Sequence, residues 1–84
     1  MVLSATLIAA PLLIAGPSTP EDWQKMYESC LQGAAVVTHQ QNLGWDFPTK
    51  FCVCARDELK STPERERDAR FPGIRDLCLE RARR

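Results

Sequence analysis

Apolar residues recur at helical spacing from Trp23 onward. Trp23, Met26, Tyr27, Cys30, Leu31 and Ala34 fall at i, i+3, i+4, i+7, i+8 and i+11, while Gln24, Lys25, Glu28, Ser29 and Gln32 lie off that face. The spacing predicts an amphipathic first helix. Its start is marked by Thr19, able to cap, by Pro20 at the first helical position, and by Glu21 and Asp22 at the positive end of the helix dipole. It weakens at Gly33 and the β-branched Val36-Val37-Thr38, and ends before Asn42-Leu43-Gly44. Residues 42–48 read as a turn-rich connection whose two aromatics, Trp45 and Phe47, fold back over the core. A second helix follows over about Pro48 to Lys60, with Phe51, Ala55 and Leu59 at i, i+4 and i+8 as its apolar face.

Ser61-Thr62-Pro63-Glu64 repeats Ser18-Thr19-Pro20-Glu21 and reads as a second use of the same start signal. Glu64–Arg70, almost wholly charged, predicts an exposed helical turn or two, broken by Phe71-Pro72-Gly73. A last helix carries Ile74, Leu77, Cys78 and Ala82 on one face, with Arg81, Arg83 and Arg84 in its final turn, where cations complement the dipole. No segment sustains the period-2 alternation of a half-buried strand. The expected fold is all-α, a small three- to four-helix bundle stapled by two disulfides.

Charge changes the picture of the first residues. All 11 basic and all 11 acidic side chains lie between Glu21 and Arg84, so the formal balance of zero belongs entirely to the body of the chain. Met1–Ala15, MVLSATLIAAPLLIA, is an apolar run of signal-peptide length followed by small and helix-breaking residues. The expectation is a signal peptide over residues 1–15, cleaved after Ala15 in preference to Ser18, then a single helical cysteine-stabilised domain over 16–84. The run is interrupted by Pro11 and is shorter than the roughly 20 residues that cross a bilayer, so no stable membrane span is expected in the mature chain.

An exported chain gives its four cysteines a meaning, because small domains in oxidising compartments compensate for a thin core with disulfides. In the second helix Cys52 and Cys54 point about 160° apart, on opposite flanks of the buried stripe, so a bond between them is disfavoured. Both remaining schemes tie the second helix to Cys30 on one side and Cys78 on the other. Height relative to a turn near residues 40–47 favours Cys30–Cys54 with Cys52–Cys78 over Cys30–Cys52 with Cys54–Cys78.

Other chemistry is sparse. The chain lacks GxGxxG, GxxxxGK[ST] and HExxH motifs. Cys30, Cys52, Cys54 and Cys78 with His39 have the residue types for soft-metal binding, but a Cys-x-Cys within a helix does not wrap a metal as Cys-x2-Cys turns do. His39, near the end of the first helix, reads as a surface or capping residue. The neighbouring carboxylates Glu21/Asp22 and Asp57/Glu58 point different ways on a helix and form no acid–base pair. The arginines at 65, 67, 70, 75, 81, 83 and 84 alternate with Glu64, Glu66, Asp68, Asp76 and Glu80, which argues against a nucleic-acid stripe. Trp23 and Trp45 are the candidate binding patch, set against the favoured structural reading in which Trp23 sits at the core edge of the first helix and Trp45 packs the loop. No catalytic residue, metal or cofactor is expected.

Phe51-Cys52-Val53-Cys54-Ala55-Arg56-Asp57-Glu58-Leu59, with Cys30 upstream and Cys78 downstream, resembles small uncharacterised exported proteins of Gram-negative bacteria. Those carry a leader, a single Cys, and then an aromatic-Cys-x-Cys followed by Leu. The resemblance covers most of residues 23–78 and implies a periplasmic, disulfide-bonded helical protein, with no catalytic residues to carry over. The leader here departs from the pattern in having no Lys or Arg before its apolar run. The functional expectation is a non-enzymatic periplasmic or secreted module that binds another envelope protein. The alternative is a thiol–disulfide redox or soft-metal protein using Cys52 and Cys54.

Overall fold

The computed structural model describes residues 17–84, which form three helices and no strand: α1 (Pro20–Gln41), α2 (Phe47–Lys60) and α3 (Arg67–Arg83), with a 3-10 turn at Glu64–Glu66. The expected leader over residues 1–15 lies outside the described residues. Among these, no helix is long and apolar enough to cross a membrane.

Each boundary has a local cause. Thr19 caps α1 in a reciprocal box: its hydroxyl accepts from the Asp22 N–H at 3.1 Å, and the Asp22 carboxylate accepts from the Thr19 N–H at 3.4 Å. The Thr19 hydroxyl, with the Ser18 and Thr19 N–H groups, holds the Asp22 carboxyl below its ordinary value of 3.8. Asn42 ends α1 in the left-handed conformation at φ 54°, which a residue with a short polar side chain tolerates. The Leu43 N–H then bonds back to the Thr38 carbonyl at 3.0 Å.

The second Ser-Thr-Pro-Glu behaves differently from the first. Thr62 is buried and its hydroxyl donates backward to the Glu58 carbonyl at 2.7 Å, sealing the end of α2 instead of opening α3. A capping box needs an acceptor at the third helical position, and Arg65 stands where the first copy has Asp22. Nor do Phe71-Pro72-Gly73 break the last helix, as expected from composition: α3 runs through them. Pro72 removes one backbone bond, to the Asp68 carbonyl, but residues 68–73 are all exposed, so water can take that carbonyl's place.

α2 is the middle helix. It lies antiparallel to both neighbours, while the backbones of α1 and α3 stay apart. Its apolar stripe begins one turn earlier than the spacing suggested. Phe47 is the first helical residue, buried, and stacks on Phe51 with ring centroids 5.9 Å apart. Trp23, Ala55, Leu59, Ile74 and Cys78 make the core, with Met26, Phe51 and Cys54 packed on it. Leu77, expected on the buried face of the last helix, is instead partly exposed.

Candidate functional site: the trough between the outer helices

The disulfides are Cys30–Cys52 and Cys54–Cys78, with Cα–Cα distances of 5.9 and 5.6 Å. This corrects the favoured pairing of Cys30–Cys54 with Cys52–Cys78. Height was a poor discriminator, because Cys52 and Cys54 differ by only about 3 Å along the axis. Direction decides. The two side chains point to opposite flanks of α2, and α1 occupies the Cys52 flank while α3 occupies the Cys54 flank. Cys52 and Cys78 are buried, whereas Cys30 and Cys54 are partly exposed. The Arg81 Nη1 lies 4.0 Å from the Cys54 sulfur and 3.7 Å from a Glu58 carboxylate oxygen.

Trp23 and Trp45 do not form a patch. Trp23 is 8 % exposed and sits at the start of α1 in the core, whereas Trp45, in the α1–α2 connection at the far end, is 91 % exposed and covers none of the core. Phe47 does the covering that both loop aromatics were expected to do. His39 is exposed in the last turn of α1 and lines a shallow depression with Trp45, Asn42 and Pro48. The neighbouring carboxylates have separate uses: Glu21 pairs with Lys25 at 3.4 Å, Asp22 caps α1, Asp57 meets Arg56 at 3.1 Å and Glu58 meets Arg81.

Two features carry the architecture that spacing alone had not singled out. The first is Arg67, which composition placed in an exposed charged face. Its Nε donates to the Leu59 carbonyl at 3.0 Å and the Thr62 carbonyl at 3.2 Å, and an Nη donates to the Pro17 carbonyl at 3.3 Å. Its guanidinium carbon also lies 4.9 Å from the centroid of the Trp23 ring, with Lys60 Nζ on the same ring at 5.7 Å. A cation on the last carbonyls of α2 complements the helix dipole as well as tying three segments together.

The second is an apolar trough between α1 and α3 with α2 as its floor. Toward the end where α1 finishes it encloses about 410 Å³, between Ala34 and Val37 of α1 and Leu79 of α3, over Phe47 and Phe51. Arg75 and Arg83 stand at its α3 edge. It continues toward Phe71 as a second recess of about 340 Å³ that shares Cys30 and Phe51 with the first. The α3 wall is the row Phe71, Arg75, Leu79, Arg83, a four-residue spacing visible in the sequence but masked there by the break expected at Pro72. The α1 wall is narrow because Gly33 has no side chain, and a Cβ there would meet nothing within 4 Å.

No protein family, curated protein or solved structure matches this chain.

Proposed function

We propose that this chain is an exported, non-enzymatic helical protein that works in the periplasm or outside the cell by binding another envelope protein. The observation that carries the reading is the pair of disulfides clamping α2 to both neighbours. Such bonds persist in oxidising compartments, and a domain of this size gains from them what its thin core lacks. The uncharged apolar run before Gly16 supplies the expected route of export. An apolar trough on a cross-linked frame suits recognition, because a rigid surface loses little conformational freedom on binding.

Expression with its own first residues in a Gram-negative host tests the reading by intact mass. Periplasmic protein beginning after Ala15 or Ser18, with all four cysteines oxidised, supports it. Four free thiols in periplasmic protein, or an unprocessed chain retained in the cytoplasm, overturn it.

A thiol-exchange or soft-metal role for Cys52 and Cys54 is the second reading, and the cation beside the Cys54 sulfur favours it, since positive charge stabilises a thiolate. Burial weighs against it: an incoming thiol that attacks the accessible Cys54 must expel the thiolate of Cys78 into the core. Rapid reduction of Cys54–Cys78 by glutathione in otherwise folded protein, or stoichiometric zinc or copper after purification, would select this second reading.

A further inference from the structure

We infer that the trough between α1 and α3 receives a helix of a partner protein, apolar along one stripe and acidic along the edge that meets α3, and that this helix completes a four-helix bundle. The inference rests on the reading of the chain as a binding module and specifies what it binds. The α1 wall runs from Met26 to Gln41, about 22 Å at 1.5 Å per residue, the length of about four helical turns. A two-turn segment would leave half of it empty. Ala34 and the bare backbone of Gly33 allow a second helix to approach closely, as helices packed at about 8–10 Å require. The residues at Phe71, Arg75, Leu79 and Arg83 form a row with the four-residue spacing into which such a helix packs its own ridge.

Charge selects the occupant. The α1 residues lining the trough carry no charge, whereas the α3 wall carries Arg75 and Arg83. Arg75 meets only its exposed neighbour Asp76, at 3.3 Å, and Arg83 has no carboxylate partner among the described residues. Residues 1–16 contain no acidic side chain and would leave both arginines unmatched. A second copy docked trough to trough would bring no carboxylate to them, since no acidic residue lines either recess. A partner helix with Glu or Asp on one edge and an apolar stripe answers both walls at once.

The test is titration of the disulfide-bonded protein, labelled with ¹⁵N, with three synthetic peptides. One of about 18 residues has leucine at every third or fourth position and glutamate along one flank, giving roughly five turns of helix. The second has lysine in place of each glutamate, and the third is residues 1–16 of this chain. The acidic peptide is expected to shift the amides of Gly33, Val37 and Leu79 and to bind at least about tenfold more tightly than the lysine peptide. Exchanging the exposed pair, Arg75→Glu with Arg83→Glu, should reverse that preference. Gly33→Leu, which fills open space, should abolish binding while the circular dichroism spectrum is retained.

Equal binding of the acidic and lysine peptides overturns the proposal, as do tighter binding of residues 1–16 and absence of trough shifts up to about 1 mM peptide. A dimer seen by sedimentation, with trough shifts that follow protein concentration, overturns it in favour of a second copy. These results leave the export reading standing, whereas an unprocessed chain retained in the cytoplasm would remove that reading without touching the trough of the oxidised protein.

Discussion

At the end of the bundle where α1 begins, Trp23 fills the space between the outer helices and Arg67 ties the segment before α1, the end of α2 and the start of α3 together. At the end where α1 finishes, Gly33 and Ala34 stand on the corresponding wall and the space stays open. The same three helices make both ends. The difference lies in side-chain volume at a few positions on α1 and in whether an arginine faces backbone carbonyls or solvent. An outer pair of helices that does not touch is closed only where a large residue bridges it.

The largest effect should come from removing what the two ends share. The disulfides close loops with sequence separations of 22 and 24, each worth about 3 kcal/mol in loop-closure entropy. Full reduction is expected to abolish the cooperative thermal transition seen by circular dichroism. A reduced protein that melts where the oxidised one does would show that the core suffices alone. Next come the tryptophans: Trp23→Ala should cost about 3–5 kcal/mol in chemical denaturation, and Trp45→Ala less than about 0.5 kcal/mol. Comparable costs for the two would break the contrast between a closed and an open end.

Arg67→Met should lower stability by about 2 kcal/mol, since it removes donors from the carbonyls of Leu59, Thr62 and Pro17. Arg83→Met at the open end should be close to neutral, and urea midpoints of the two variants measure the difference. Gly33→Ala is expected to stabilise by about 1 kcal/mol, because it adds helix propensity where a Cβ meets nothing. A loss of stability there would mean that the trough is already occupied in the isolated protein. The smallest effect concerns pH. Asp22 is held below its ordinary value by the Thr19 hydroxyl and the Ser18 and Thr19 N–H groups, so its contribution is complete above the unfolded value and lost as pH falls through the lower folded one. Urea midpoints should therefore decline below about pH 4 and do so less steeply in Thr19→Ala.

Much of this was legible in one dimension. The α1 boundaries at Thr19 and Asn42 follow from caps whose partners lie within four residues. The stripe of Ala55 and Leu59 and the opposed flanks of Cys52 and Cys54 follow from helical periodicity. Three readings failed where a local signal depends on what surrounds it. Pro72 does not end α3, where residues 68–73 are exposed and the Asp68 carbonyl is open to water. Thr62 resembles Thr19 until the third residue beyond it proves to be arginine. Trp45 and Phe47 are equally apolar, yet only Phe47 falls in register with Phe51, Ala55 and Leu59. Arg67 could not be told from the other arginines of its charged segment, because two of its partners, Pro17 and Trp23, are remote in sequence and the other two are backbone carbonyls that carry no sequence signal.

The sequence by itself determined that there would be helices, where the first begins and ends, the inward stripe of Ala55 and Leu59, and that α2 would be tied on both flanks. These are properties of spacing at about 100° per residue and of hydrogen bonds closed within a turn. Only the tertiary structure decided that Cys52 meets Cys30 and Cys54 meets Cys78, and that the outer helices stand apart over α2. Periodicity says that a helix has two flanks, but which neighbour takes which is set by the handedness of packing, and that is a property of three helices together.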